Sequence, residues 1–156
     1  MNRKAFIVGL KKEKLLLEEK KFLIKEKPWG IILFSRNIQN LDQLKKLVDS
    51  IKFVNADKNF PVLIDQEGGS VSRLNKIIDF SLFSQNYFTK IFHKDKKKFI
   101  KYYKIYINSV SSILNYVGIN INTVPVLDIR RKKSHKIIGD RSFSNNKSTV
   151  ARLGKI

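Results

Sequence analysis

The chain lacks cysteine and long apolar stretches, and these two absences exclude several classes of protein. Without cysteine it can form neither disulfides nor thiolate metal sites. Its longest apolar runs, Ile31–Phe34 and Phe60–Ile64, are far shorter than the ~20 residues that a membrane-spanning helix needs. The apolar run Ala5–Leu10 is followed at once by charged residues, which is not typical of a secretory signal peptide. These features predict a cytoplasmic protein with no membrane partner.

Acidic residues are also scarce, because 13 Asp and Glu stand against 32 Lys and Arg, giving a formal net charge of +19. One interpretation is a polyanionic partner such as nucleic acid. The other is a coding bias, since Lys, Ile and Asn are abundant together and their codons are rich in A and T. The lysines are spread along the chain, with Lys94–Lys98 as the dense run. We favour the second interpretation, because net charge governs solubility and non-specific binding rather than a particular function.

The apolar residues follow alternating strand and helix patterns, and at 42% of the chain they suffice for a core. Strands are predicted at Ala5–Gly9, Gly30–Phe34, Pro61–Ile64 and Ile119–Leu127. Helices are predicted at Lys14–Glu26, from a cap at Asn40 with Gln43 in a capping box to Val54, within Phe83–Phe92, at Lys96–Tyr116, and from Ser148 onward. Such alternation implies parallel strands joined by right-handed crossovers. We therefore predict an α/β fold in one domain, residues 1–156, equivalent to the N-terminal half of a (β/α)8 TIM barrel, which in full takes ~250 residues.

Two of these helices have apolar faces that we assign to the core. In the first helix the face consists of Leu15, Leu16, Leu17, Phe22 and Leu23. In the long helix it consists of Phe99, Tyr102, Tyr103, Tyr106, Val110, Ile113 and Leu114. The helical spacing of the aromatic residues favours core packing over a stacking surface for single-stranded nucleic acid.

The third predicted strand runs directly into the most polar motif of the chain, Asp65-Gln66-Glu67-Gly68-Gly69. Polar side chains at the carboxyl end of a parallel strand are how α/β folds build sites. The two carboxylates raise the possibility of glycoside hydrolysis, but neighbours on one strand do not lie across a substrate from each other. We therefore assign Asp65 to accepting hydrogen bonds from sugar hydroxyls, with loop capping as its alternative, and Glu67 to holding the loop.

Two arginines accompany this motif. Arg73 lies shortly after it, and its fixed fork of donors suits hydroxyl or carboxylate recognition. Arg36 closes the second strand, and we expect it to pair structurally with an acid such as Asp65 or Glu67. The glycines Gly68 and Gly69 are expected to let the backbone turn close to a ligand.

The fourth strand leads to a second polar cluster. Asp128 follows the strand, and Asp140 and Arg141 come after a basic loop, Arg130 to Lys136, that we expect to be solvated. Arg141 is expected to reach the mouth of the barrel, with Asp140 orienting it. The two histidines, His93 and His135, are not beside an acid at a strand end, so no metal or cofactor site is predicted.

Five motifs occur in this order along the chain: GIILFSRN from Gly30, PVLIDQEGG from Pro61, VxRL from Val71, GININTVPVLD from Gly118, and IGDRSF from Ile138. Together they resemble the N-terminal half of a bacterial β-N-acetylhexosaminidase of glycoside hydrolase family 3. The resemblance implies a (β/α)8 barrel and retaining hydrolysis of terminal N-acetylglucosamine, typically from muropeptides during cytoplasmic cell-wall recycling, without a cofactor. It also implies that Asp65, Arg73 and Arg141 bind the sugar.

The sequence departs from the family pattern at Ser70 and Ser72, where Arg and Gln are usual. The family's Lys-His pair, its KHFPGHG loop and its Asp nucleophile come later in the family sequence than residue 156, so no catalytic residue is predicted here, and we expect the chain alone to be inactive. The alternatives are a non-catalytic half-barrel that binds sugar or completes its barrel with another chain, and a basic nucleic-acid-binding protein. A half-barrel would leave two unpaired sheet edges.

Overall fold

Parallel strands and helices alternate along the chain in a computed structural model that describes residues 2–131, 135 and 138–156. The strands are β1 (Lys4–Gly9), β2 (Pro28–Leu33), β3 (Val62–Ile64) and β4 (Ile121–Asn122). The helices are α1 (Leu17–Glu26), α2 (Leu41–Val54), α3 (Gln85–Lys94), α4 (Lys96–Val117) and α5 (Lys147–Leu153), with short 3-10 helices at Ser35–Asn37 and Gly139–Arg141. Most of the loop that we predicted to be solvated lies outside the described residues.

The strands form one parallel sheet in the order β1-β2-β3-β4, so neighbours in the sheet are also neighbours in the chain. The prediction of a long fourth strand is wrong, since β4 has two residues. Asparagine side chains replace part of its ladder: the amide of Val62 donates to Asn120 Oδ1 (2.8 Å), and the amide of Gln66 donates to Asn122 Oδ1 (3.0 Å). The carboxyl ends of β3 and β4 are thereby held together at one edge of the sheet.

The predicted cap of α2 is present in part. Asn40 Oδ1 accepts from the Gln43 amide at 2.9 Å, as a helix N-cap does. The Gln43 side chain, however, accepts from the amide of Gln39 and not of Asn40. In α1, Glu19 accepts from the amides of Lys11 and Leu16, so the helix begins at Leu17, later than predicted.

Two clusters of buried side chains form the core. The larger packs α2 and the C-terminal half of α4 against β2 and β3, and the smaller joins α3, the start of α4 and α5. Two predicted core faces are corrected. Leu17 and Phe22 of α1 are exposed, because only Leu23 of that helix is buried in the sheet. Tyr102 of α4 is also exposed, whereas its neighbour Tyr103 is buried.

Candidate sugar-binding site

Asp65 directly follows β3, and its carboxylate lies between two partners. Thr123, the first residue after β4, donates its hydroxyl to Asp65 Oδ1. On the other side Arg73 Nη2 lies 3.8 Å from Asp65 Oδ2. The side chains of Asp65 and Arg73 remain 26% and 25% exposed, so both can still receive a ligand at the carboxyl edge of the sheet. A carboxylate that accepts and a guanidinium that donates are a suitable pair for sugar hydroxyls.

Gln66 positions the segment that carries Arg73. Its Oε1 accepts from the backbone amides of Arg73 (2.7 Å) and Leu74 (3.0 Å), and its Nε2 donates to Ser72 Oγ (3.1 Å). The side chain is buried, at 1% exposure. These bonds fold the chain back against the end of β3, which places the Arg73 guanidinium 5.6 Å from the centroid of the Phe34 ring.

Glu67 and Arg141 form a bidentate ion pair. Arg141 Nε donates to Glu67 Oε2 at 2.9 Å and Nη2 donates to Oε1 at 2.8 Å. The Glu67 side chain is 5% exposed and the Arg141 side chain 23%. The hydrogen bonds that Arg141 donates to Glu67 raise the pKa of Arg141 above its ordinary value, and the charges of Glu67, Asp128 and Asp65 add to this effect. Arg141 is therefore a cation held in place by Glu67, and its side chain remains 23% exposed.

The loop Gly68–Val71 closes over this ion pair. The Glu67 amide donates to the Val71 carbonyl at 3.0 Å, and Gly68 and Gly69 have φ angles of +77° and +62°, which favour glycine. Ser70 Oγ donates to Asp140 Oδ1 at 3.0 Å. This bond connects the loop after β3 to the 3-10 helix that carries Arg141.

The predicted supporting residues include Arg36, Asp140 and Asp128. The prediction that Arg36 pairs with an acid is wrong: its Nε donates to the Leu10 carbonyl (2.8 Å), its guanidinium lies over the Phe34 ring, and it forms no ion pair within the described ranges. The prediction that Asp140 orients Arg141 is also wrong, since Glu67 holds that guanidinium and Asp140 binds Ser70. Asp128 contributes its backbone carbonyl to Ser142 Oγ (2.6 Å) and its charge to Arg141.

Sequence reasoning missed Gln66 and Thr123 as parts of the site. Gln66 stands inside the DQEGG motif, and its central position there was the available signal. Thr123 follows β4 as Asp65 follows β3, so the rule that strand ends meet at one edge could have found it. No group of three or more His, Cys, Asp or Glu side chains that could hold a metal occurs in the described part of the chain, and no described helix is long and apolar enough to cross a membrane.

Tyr106 of α4 lies under the glycine loop, and its hydroxyl is buried without a hydrogen-bond partner among the described residues. Burial raises the pKa of Tyr106 to about 12, and the nearby Gln66 side chain offsets only part of that rise. In the unfolded chain this tyrosine titrates near its ordinary value of 10.0. Between these values the unfolded state loses the proton first, so the stability that the neutral phenol contributes falls as the pH rises from about 10 to 12.

We expect Tyr106→Phe to unfold with a free energy about 1 kcal/mol higher than the native chain at pH 8, because it removes an unpaired buried hydroxyl. That advantage should grow as the pH is raised from 9 to 11, by at most ~1.4 kcal/mol per pH unit. Urea denaturation across this range measures both effects, with the exposed Tyr116→Phe as the control. An identical pH dependence in Tyr106→Phe and the native chain would contradict the prediction.

The comparison with known proteins decides the family. Residues 7–156 match the family model described as the glycosyl hydrolase family 3 N terminal domain. The chain belongs to glycosyl hydrolase family 3. The beta-hexosaminidase of Neisseria gonorrhoeae is 36% identical over 142 residues, which cover 90% of this chain and 38% of that protein. The beta-hexosaminidase of Alkalilimnicola ehrlichii is 32% identical over 151 residues, covering 96% of this chain and 42% of that protein.

Solved structures of family 3 proteins share the fold. NagZ from Neisseria gonorrhoeae in complex with N-trifluoroacetyl-D-glucosamine aligns with a TM-score of 0.83 at 30% identity, covering 98% of this chain and 45% of that one. A family 3 beta-N-acetylglucosaminidase from Paenibacillus aligns with a TM-score of 0.72 at 26% identity, covering 95% of this chain and 27% of that one. These matches confirm the predicted fold class and the resemblance to family 3. This chain spans less than half the length of these two beta-hexosaminidases.

Proposed function

We propose that the chain is the sugar-binding N-terminal part of a β-N-acetylhexosaminidase that hydrolyses terminal β-linked N-acetylglucosamine from cell-wall muropeptides in the cytoplasm. The observation that carries this proposal is the grouping of Asp65, Arg73 and Arg141 where β3 and β4 end. One carboxylate and two fixed guanidinium groups can together satisfy neighbouring hydroxyls of a sugar ring. The relative that binds N-trifluoroacetyl-D-glucosamine supports the choice of sugar.

We further propose that residues 1–156 bind the sugar but do not cleave the glycosidic bond. A retaining mechanism needs two carboxyl groups ~5–5.5 Å apart on opposite sides of the bond. Asp65 and Glu67 follow the same strand, and both oxygens of Glu67 are engaged by Arg141. Glu67 is therefore a positioning residue in this proposal, and the nucleophile and the acid/base belong to the remaining part of a family 3 barrel.

A completing chain or segment is part of the same proposal. Within the described residues, β1 and β4 each pair with one strand, so the sheet that these residues form has an edge at β1 and another at β4. Beside β4 lies a cavity of about 290 Å³ whose walls include Asn122, Val124, Pro125 and, from α4, Ile107 and Val110. A fifth strand paired to β4 would bury these side chains and satisfy the free edge.

A chimaeric enzyme tests the proposed function. Residues 1–156 replace the matching N-terminal part of the Neisseria gonorrhoeae beta-hexosaminidase, and hydrolysis of 4-nitrophenyl N-acetyl-β-D-glucosaminide is measured. We expect the chimaera to cleave this substrate and residues 1–156 alone to leave it intact. Hydrolysis by the isolated chain would overturn the proposal that residues 1–156 bind the sugar without cleaving the glycosidic bond.

Substitutions within the chimaera test the assignment of the site. We expect Asp65→Asn to lower kcat/KM by at least 100-fold, because the neutral amide loses a charge-assisted acceptor for the sugar hydroxyls. The control is Asp42→Asn, an exposed acid on α2. A folded chimaera in which both substitutions leave kcat/KM unchanged would show that Asp65 does not bind the substrate.

A further inference from the structure

The antiparallel pair of helices α3 and α4, here called the basic hairpin (Gln85–Val117), is much more basic than the N-terminal part of the chain, residues 1–84. It contains seven lysines and one acid, Asp95. None of these lysines forms an ion pair in the ranges that the structure describes, whereas Lys11 and Lys45 of the N-terminal part bind Glu18 and Asp49. The hairpin therefore presents uncompensated positive charge on its outer surface.

The lysines near the N-terminus of α4 destabilise that helix. Lys96, Lys97 and Lys98 occupy its first turn, and Lys101 and Lys104 follow in its N-terminal half. Cations near a helix N-terminus interact unfavourably with the positive end of the helix dipole. Asp95, which caps the helix by accepting from the Lys98 amide (3.0 Å), is the nearby compensating charge. An anionic surface outside the protein would attract the same lysines and so offset this unfavourable interaction.

Apolar side chains are exposed on the same flank of the hairpin. Lys98, Lys101, Tyr102 and Ile105 lie at helical spacing along one side of α4, and Tyr102 and Ile105 are 45% and 54% exposed. Tyr102 and Ile105 line a groove of about 380 Å³ between α3, α4 and the preceding loop. Leu82 of that loop is 75% exposed. Tyrosine and aliphatic side chains beside lysines are the composition of surfaces that lie in a membrane interface.

We propose that the basic hairpin docks on a bilayer surface that contains anionic phospholipids. The lysines would contact the phosphate groups, and Leu82, Tyr102 and Ile105 would enter the boundary between headgroups and acyl chains. This is attachment to the surface of a bilayer, in contrast to the sequence prediction of no membrane partner, and it does not depend on hydrolase activity. A nucleic acid fits less well, because the exposed Leu82 and Ile105 offer no stacking surface and, although Tyr102 is exposed, the α4 aromatics Phe99 and Tyr103 are buried in the core.

Co-sedimentation with vesicles tests the proposal. Residues 1–156 are mixed with two kinds of vesicle. The neutral vesicles contain phosphatidylcholine alone, and the anionic vesicles contain phosphatidylcholine with 30 mol% phosphatidylglycerol. We expect binding to the anionic vesicles that weakens with salt, and at least tenfold weaker binding to the neutral vesicles. Equal binding to both kinds of vesicle would overturn the proposal.

Two matched variants separate this surface from net charge. The triple variant Lys97→Gln, Lys98→Gln, Lys101→Gln should weaken binding at least tenfold more than the control Lys12→Gln, Lys20→Gln, Lys21→Gln. The control removes three exposed lysines elsewhere that form no ion pair with any described residue. Ile105→Ser should weaken binding more than Phe53→Ser, a residue of α2 that is 86% exposed. Circular dichroism verifies that each variant is folded. Equal losses in test and control variants, or a single-stranded RNA 20-mer that binds more tightly than the anionic vesicles, would refute the docking surface.

Discussion

Gly68→Ala should unfold the chain with a free energy lower by about 4 kcal/mol, which places it among the most damaging single substitutions. A Cβ atom at Gly68 would lie 2.4 Å from the Phe83 carbonyl oxygen and 2.8 Å from the Tyr106 hydroxyl. The first of these is a backbone atom that cannot swing aside. The φ angle of +77° adds the cost that an L-residue pays in the left-handed region, about 1–2 kcal/mol.

Gly139→Ala is the matched control for this prediction. Gly139 also has a positive φ angle, +32°, but a Cβ atom there would meet nothing within 4 Å. We expect it to lower the free energy of unfolding by about 1 kcal/mol, from backbone strain only. Urea denaturation followed by circular dichroism measures both variants. If Gly68→Ala and Gly139→Ala lower the free energy of unfolding by the same amount, close packing under the DQEGG loop is not the reason that glycine is needed at position 68.

Arg141→Ala should lower the free energy of unfolding by about 3 kcal/mol at neutral pH. The substitution leaves the Glu67 carboxylate, 5% exposed, without either of its two hydrogen bonds from the guanidinium. Removing one partner of a buried ion pair costs ~3–5 kcal/mol, and the partial exposure of Arg141 places our value at the low end. Thermal or urea unfolding measures the loss.

Two further variants test the cause of the stability lost in Arg141→Ala: a double variant, and one that breaks an exposed ion pair. Adding Glu67→Gln to Arg141→Ala should recover part of the stability, because it removes the unpaired buried charge. Lys45→Ala breaks the exposed pair with Asp49 on α2 and should change the free energy of unfolding by less than about 0.5 kcal/mol. If the double variant is as unstable as the sum of the two single variants, Glu67 and Arg141 do not act as a pair.

Much of the fold was predictable because capping residues and the spacing of apolar residues indicate where helices and strands lie. α2 is an example: Asn40 caps it, and its apolar residues recur at helical spacing up to Val54. β4 was not predictable in length, because apolar residues continue beyond Asn122 while the backbone pairing stops. The side chains of Asn120 and Asn122 take over hydrogen bonds that a ladder would make, and a hydropathy pattern contains no signal for that exchange.

The proximity of Asp65 and Arg73 was predictable from the sequence, whereas the partner of Glu67 was not. Asp65 and Arg73 follow one strand and lie together as the motif implied, although their assignment to substrate stays a prediction. Which cation would hold Glu67 could not be predicted, because both Arg36 and Arg141 were expected near the carboxyl edge of the sheet. The choice depends on the backbone: Arg36 is turned toward the Leu10 carbonyl, and the 3-10 helix presents Arg141 to Glu67. Such pairings depend on tertiary geometry that local spacing does not contain.

The order of the strands in the sheet has a consequence for how the chain folds during synthesis. Each strand pairs with the strand made just before it, so β2 can dock on β1, β3 on β2 and β4 on β3 in the order of translation. No strand in the described part of the sheet must wait for a partner made much later. The N-terminal units of a chain can form first on the ribosome. The polypeptide can therefore grow strand by strand as it leaves the ribosome, with the newest edge as the template for the next strand.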